Sequence, residues 1–205
     1  MSLFDQIVLL LTGLAALYLI YIFYGRYKKE KKLHDLYYIL GFAVLFVSGV
    51  LLIFFGWDIL ASPWVLTVSS LIPLGISLGV ANQFYKEWKK YFAWYALIGL
   101  LAIAGTSFFG PEYKKFAVPL FHGVAGLIIF LGPIFAEKSG KAAKGFWWAG
   151  IGGMLIGIGG IALAFVTMGS QLLFFSPEFI LQILAPLLLL MTLAFGMGFI
   201  KDINK

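Results

Sequence analysis

Few side chains that could do chemistry lie inside the long hydrophobic stretches of this sequence, and His122 is the clearest of them. It follows Phe121 in a hydrophobic stretch that starts near Phe116, which places it about 9 Å below the outer end of a helix. Histidine changes its charge near neutral pH, so it could gate a path or relay protons there. A neutral histidine hydrogen-bonded to another helix is the alternative, and the sequence leaves both interpretations open.

Prolines inside the hydrophobic stretches mark where a polar molecule could pass. Pro73, Pro119, Pro133 and Pro186 each lack an amide hydrogen, so each frees a carbonyl one helical turn earlier. Freed carbonyls are tolerated inside a membrane where another helix or a watery cavity satisfies them. The pattern indicates either a pore or solute site lined by the third, fifth and seventh helices, or ordinary kinks packed against their neighbours.

Polar and aromatic side chains near these prolines complete the predicted pore. We expect Asn82 and Gln83 at its inner mouth, and the pair Trp94 and Tyr95 narrowing the passage. The predicted pore residues are His122, Ser70, Pro73, Ser77, Asn82, Gln83, Trp94, Tyr95 and Gln182.

A row of small residues in the sixth stretch predicts close helix packing. Its members recur at intervals of three and four and therefore share one helix face. A glycine-rich phosphate loop would need a strand–loop–helix setting and usually a following lysine, and both are missing. We expect this helix at a central position or at a contact between protomers. The row consists of Gly150, Gly153, Gly157, Gly160 and Ala164.

The composition predicts an all-α, polytopic membrane protein. Hydrophobic residues make up 62% of the 205 residues and charged residues 12%, whereas a soluble domain has about 45–50% and 25%. The absence of cysteine removes disulfides, thiolate nucleophiles and thiolate metal sites. The acidic residues fall at helix ends, so the interior lacks the paired acids or metal ligands that an intramembrane hydrolase needs. We expect no enzymatic activity, no catalytic residue, no metal and no cofactor.

Seven hydrophobic stretches are long enough to cross a membrane, which takes about 20 apolar residues. They predict a seven-helix bundle that forms a single transmembrane domain over residues 1–205. The predicted spans are 4–24, 36–56, 63–84, 91–109, 116–135, 146–168 and 179–200.

The basic residues predict how this bundle is oriented. Thirteen of the fifteen Lys and Arg residues lie in the first, third and fifth connections and the C-terminal tail, against Lys114 and Lys115 in the other connections. The positive-inside rule then puts the N-terminus outside and the C-terminus in the cytoplasm of a multi-pass cell-membrane protein. The net charge of +6 is explained by these loops beside anionic lipid, so we expect no nucleic-acid partner. Fourteen of the basic residues are lysine, a bias compatible with a thermophile.

The spans leave room for an internal repeat. The first three and the last three share an orientation, so a parallel repeat separated by the fourth span is geometrically possible. The sequences of the two triplets give it little support.

Two segments resemble the acid-activated urea channel and amide transporter family. Residues 82–95, NQFYKEWKKYFAWY, are similar to that family's connection between its third and fourth helices, where Asn ends one helix and Trp with basic residues forms the turn. Residues 135–147 are similar to its later inner turn. The resemblance implies a passive path for a small uncharged solute in a multimeric ring. The chain departs from the family in its seventh helix and in having Gly152 and Gly153 where the family has a glutamate.

Two function classes follow. The first is a channel or transporter for a small neutral or weakly ionisable solute, which would cross a narrow, mostly apolar path with a few polar groups. The second is a non-catalytic membrane subunit or a scaffold that binds lipid, pigment or partner proteins through apolar faces. The expected partners are membrane lipids and a small-molecule solute, and a homo-oligomer remains open.

Overall fold

The computed structural model describes residues 1–110, 112–167 and 176–204, and this part of the chain is helical without strands. A short 3-10 helix, Trp57–Ala61, connects the second and third helices. The helices are α1 (Leu3–Glu30), α2 (Leu33–Phe55), α3 (Pro63–Ser69), α4 (Leu71–Phe84), α5 (Lys89–Phe109), α6 (Lys114–Lys138), α7 (Trp147–Thr167) and α8 (Pro177–Ile203).

Six of the predicted crossings have helices that are long and apolar enough to span a membrane. They are α1, α2, the pair α3 and α4 together, α5, α6 and α8. In α7 the apolar part within the described residues, Trp147–Leu163, is shorter. The last residue of the predicted sixth span, 168, lies outside the described residues. The predicted positions of the hydrophobic stretches agree with these helices, which extend further at the charged ends.

Pro73 accounts for the division of the third predicted span into two helices. Without an amide hydrogen, Pro73 cannot donate to the carbonyl of Ser69, and α3 ends at that residue. The other prolines within the predicted spans do not interrupt their helices. Pro119 and Pro133 lie within α6, and Pro186 lies within α8.

Six helices form a closed ring around the core. The order of neighbours is α1, α2, α4, α6, α7, α8 and back to α1. Helix α5 lies outside this ring, where it packs against α3, α4 and α6. The ring neighbours that follow one another along the chain run antiparallel, whereas α4 and α6, and likewise α8 and α1, run parallel.

The ring consists of two halves whose contacts repeat. In the first half, α1 packs on α2 and α2 on α4, and in the second half, α6 packs on α7 and α7 on α8. A matching pair of contacts, α4 on α6 and α8 on α1, closes the ring. The order of neighbours therefore has twofold symmetry, and the axis of that symmetry runs through the centre of the ring.

Each half also has a close glycine contact between its first two helices. A Cβ atom on Gly13 would meet Phe46 of α2, and one on Gly126 would meet Gly157 of α7. The order of neighbours was not evident from the sequence, because the sequence alone does not show which helices meet.

The small-residue row of α7 packs against α6. A Cβ atom on Gly150 would lie 2.6 Å from the carbonyl oxygen of Phe130, and Gly153 is equally close to the backbone of Ile129. Gly157 approaches Gly126, and Gly160 lies against the ring of His122. The side chain of the last member of the row, Ala164, lies outside the described residues. Since the first four members face α6, this face lies inside the protomer.

One end of the ring collects most of the charged residues, and we call it the basic end. There α1 ends with Lys28 and Lys29 in its last turn, and only Lys31 and Lys32 separate it from α2. Helices α4, α6 and α8 also end there, and α5 and α7 begin there. The end at which α1 begins is called the opposite end.

Candidate functional site

A cavity of about 100 Å³ lies inside the ring, in the half nearer the opposite end. That volume holds a few water-sized molecules. Most of its wall is aliphatic, and its polar side chains are Ser69 and His122. It is lined by Leu45, Leu60, Val65, Leu66, Ser69, Ile72, Pro73, Val118, His122, Ile156, Gly159, Gly160, Leu163, Leu184, Leu187, Leu188 and Met191.

His122 lies at the wall of this cavity. Its Nδ1 atom is buried and has no hydrogen-bond partner among the described residues. The imidazole fits there because residue 160 is glycine, since a Cβ atom at that position would overlap the ring. A buried, unpaired ring nitrogen is costly, and the His122 side chain is one of the two polar side chains of the cavity wall.

The helix interruption at Pro73 reaches the same cavity. Pro73 and Ser69 both line the wall, and the Ser69 hydroxyl donates to the carbonyl of Leu66 at 3.2 Å. Because Pro73 supplies no amide hydrogen to the Ser69 carbonyl, this segment adds an acceptor near the wall. The cavity thus combines one imidazole and an interrupted helix in an otherwise apolar site.

The two predicted serines bond within their own segment instead of facing the cavity. Ser77 is fully buried, and its hydroxyl donates to the carbonyl of Pro73 at 2.6 Å. Ser70 donates to the carbonyl of Thr67 at 2.7 Å. Such bonds to a preceding turn are a common alternative for serine in helices, and they leave neither hydroxyl among the lining groups.

Packed aromatic rings close the cavity toward the basic end. Leu45 and Met191 line the cavity, and Phe42 and Phe195 lie about one turn beyond them, with ring centroids 5.9 Å apart. We call this set of rings the aromatic layer. All its members are at most 1% exposed: Phe23, Tyr38, Phe42, Phe195 and Phe199.

A polar network covers the aromatic layer on the side of the basic end. The Tyr38 hydroxyl donates to Oε1 of Gln83 at 2.9 Å, and Nε2 of Gln83 donates to Oδ2 of Asp202 at 2.8 Å. The other oxygen of Asp202 accepts from the amide of Ala143 at 2.9 Å. The network therefore joins α2, α4, α8 and the segment before α7. Asn82, the predicted neighbour of Gln83, is half-buried and has no side-chain hydrogen bond within the described part of the chain.

A buried ion pair braces α1 against α2 beside this network. Nε of Arg26 donates to Oδ1 of Asp35 at 2.7 Å, and the two side chains are 9% and 0% exposed. Both residues of the pair lie in the connection between the first two predicted spans, 4–24 and 36–56, and both are helical. Because it lies at the α1–α2 contact, this pair supports the first half of the ring and does not line the cavity.

Three predicted pore residues lie away from the cavity. Trp94 is 58% exposed on α5, outside the ring. Tyr95 donates from its hydroxyl to the carbonyl of Leu120 at 3.2 Å and joins α5 to α6. Gln182 is exposed on α8. Of the nine predicted pore residues, His122 and Pro73 line the cavity, and Gln83 belongs to the network beneath it.

Sequence reasoning missed Tyr38, Asp202 and Ser69. Neither Tyr38 nor Asp202 was among the predicted pore residues, and Asp202 was covered only by the expectation that acidic residues lie at helix ends. Tyr38 becomes a partner of Gln83 through the packing of α2 on α4, and Asp202 becomes one because α4 and α8 end at the same end of the ring.

The chain has no match among family models, curated proteins or solved structures.

Proposed function

We propose that this chain is a multi-pass membrane transporter for a small neutral or weakly ionisable solute. The observation that carries the proposal is the small, mostly apolar cavity whose wall includes the imidazole of His122. Few-atom solutes such as urea, acetamide or ammonia fit its volume and polarity. The resemblance of residues 82–95 and 135–147 to urea channels and amide transporters supports the same solute class. The proposal involves no catalytic step.

In the proposed mechanism the solute crosses along the axis between the two halves of the ring. The aromatic layer and the network of Tyr38, Gln83 and Asp202 hold the path closed at the basic end. Two similar halves around a central site can rock against each other to open one end and then the other. In the cavity the solute contacts the imidazole of His122.

The proposal includes seven crossings, with α7 as the sixth. The loops rich in lysine lie at the basic end, which the positive-inside rule assigns to the cytoplasm. The N-terminus is then outside, the C-terminus is cytoplasmic, and the cavity lies in the outer half of the membrane. Protease or thiol-reagent access to tags at each end of the chain in intact cells tests this orientation.

Flux measurements on proteoliposomes test the function. Stopped-flow light scattering would follow urea and acetamide entry, and an internal pH dye would follow ammonia. We expect at least one of these rates to exceed that of protein-free liposomes. Val65→Phe places a ring in the cavity and should abolish that excess. Val68→Phe, on the same short helix but 43% exposed, is the matched control and should leave the rate unchanged.

Two outcomes would remove the proposal. One is permeability equal to that of protein-free liposomes for all three solutes. The other is an equal effect of both valine substitutions. If stoichiometric partner proteins also copurified in native mass spectrometry, the alternative of a non-catalytic membrane subunit would be favoured.

A further inference from the structure

A second concave site lies on the outside of the ring, between α5 and α6. It has a volume of about 510 Å³, and we call it the side groove. Aliphatic side chains of α6 line one wall, and the other walls are aromatic. The aromatic lining residues are Tyr85, Trp88, Tyr91, Phe92, Tyr95 and Phe135.

The side groove ends where α5 meets α6. Toward the opposite end, Gly99 of α5 lies against the ring of Phe121, and Tyr95 reaches the carbonyl of Leu120. Ile103 packs with Val118 one turn further on. These contacts leave α5 and α6 apart only over the turns nearer the basic end. The groove is therefore a closed-ended apolar slot that is open at its side.

At the basic end the side groove continues into a polar hollow of about 620 Å³. Tyr85 and Trp88 line both spaces, so one leads into the other. The charged groups of the hollow are Lys86, Lys141 and Glu87. No described carboxylate forms a salt bridge with either lysine.

The lysine and tyrosine at the junction have fixed positions. The Tyr85 hydroxyl donates to the carbonyl of Gly132 at 2.7 Å, which holds its ring at the boundary between groove and hollow. Burial raises the pKa of Tyr85, so the hydroxyl keeps the proton that it donates. Nζ of Lys141 lies 5.7 Å from the centre of that ring. An ammonium group is thus held where the apolar slot meets the polar hollow.

We propose that the side groove and the hollow together bind one phospholipid with an anionic headgroup. One acyl chain occupies the apolar slot, and the phosphate contacts Lys86 and Lys141. The site is apolar and closed toward the membrane interior and cationic at the membrane surface. An anionic lipid has its acyl chain and its charged headgroup in the same arrangement. A partner's spanning helix would need a face along the whole of α5, whereas this groove stops at Tyr95. Free phosphate would contact the two lysines but would leave the apolar slot unoccupied.

Native mass spectrometry of the purified full-length chain tests the site. The protein would be titrated with phosphatidylglycerol and phosphatidylcholine that carry the same acyl chains. We expect phosphatidylglycerol to bind more tightly, by up to roughly thirtyfold for two lysines near a membrane surface. Lys86→Gln with Lys141→Gln should remove this preference. The matched control, Lys114→Gln with Lys115→Gln at the opposite end, should retain it.

A second pair of variants tests the apolar slot. Leu131→Trp fills the groove and should weaken binding of both lipids, whereas Leu101→Trp, on an exposed part of α5 outside the groove, should not. Equal affinity for the two lipids, or an unchanged preference after the Lys86 and Lys141 substitutions, would overturn the proposal. So would displacement of the lipid by millimolar inorganic phosphate, or a copurified protein bound in its place. These readouts do not depend on solute flux.

Discussion

Gln83 and Asp202 are hydrogen-bonded at 2.8 Å, although their helices α4 and α8 are not neighbours in the ring. Each residue lies near the end of the third segment of its half, and their bond spans the ring at the basic end. Gln83 also accepts from Tyr38, whose ring belongs to the aromatic layer. The closure of the basic end therefore depends on one amide that contacts both halves.

Replacing Gln83 should loosen this closure. Gln83→Ala leaves Tyr38 and Asp202 without their partner, so we expect the free energy of unfolding to fall by about 1–3 kcal/mol. The same variant should raise solute flux. The hydrogen bonds of Gln83 stabilise only the closed state, so their loss shifts the equilibrium toward the open state. Thermal unfolding in detergent and liposome flux are the measurements. Asn82→Ala is the control and should stay within about 0.5 kcal/mol. A Gln83→Ala protein with wild-type stability and flux would show that the network does not hold the path closed.

Glycines of α6 and α7 should respond to alanine in opposite directions. A methyl group on Gly150 meets the carbonyl oxygen of Phe130, so Gly150→Ala must push the helices apart at a cost of about 1–3 kcal/mol. At Gly123 nothing lies within 4 Å of the added atom, and alanine there should stabilise α6 by about 0.5–1 kcal/mol. Thermal unfolding of both variants checks the contrast. A shift of the same sign in both would contradict the packing of α7 on α6.

Breaking the Arg26–Asp35 pair should be far more damaging than replacing it. Asp35→Ala leaves the guanidinium buried without its carboxylate, which costs about 3–5 kcal/mol. The double variant Arg26→Met with Asp35→Leu removes both charges and should recover most of that loss. A double-mutant cycle of unfolding free energies provides the test. Additive effects of the two single substitutions would mean that the pair is not coupled.

The imidazole in the cavity should matter for the solute more than for the fold. His122→Leu removes a ring nitrogen that has no partner within the described part of the chain, so stability should change little. Flux should fall about three- to tenfold, since the solute loses one hydrogen bond. His122→Gln keeps a polar group at the wall and should retain most of the flux. Unchanged flux in His122→Leu, together with lower stability, would assign the residue a structural role.

The sequence predicted the helices well because hydrophobic length and charge at helix ends are local properties. The prediction of His122 and Pro73 as pore residues also rests on local signals, since each stands out within its own stretch, and both residues line the cavity. Ser70 and Ser77 bond to carbonyls of their own segment and do not line the cavity, and a hydroxyl with such a bond has the same sequence signature as one that lines a path.

The network and the ring symmetry depend on which helices meet, and a single sequence does not show that. Tyr38 and Asp202 lie far from Gln83 along the chain, so neither signals its role. Gln182 was expected inside because it precedes Pro186, yet α8 turns it outward. Helix α5 likewise has an ordinary hydrophobic pattern, and only the packing places it and Trp94 outside the ring.

The claim that solute crosses between two moving halves is tested most directly by linking them. The chain has no cysteine, and a Cβ atom on Gly132 of α6 would lie 2.7 Å from Cγ1 of Val80 on α4. The variant Val80→Cys with Gly132→Cys therefore places two thiols within reach of a disulfide across the halves. After oxidation in proteoliposomes we expect solute flux to fall to the protein-free rate, and dithiothreitol should restore it. The single variants should not respond to the oxidant. Undiminished flux through the fully cross-linked protein would contradict the account.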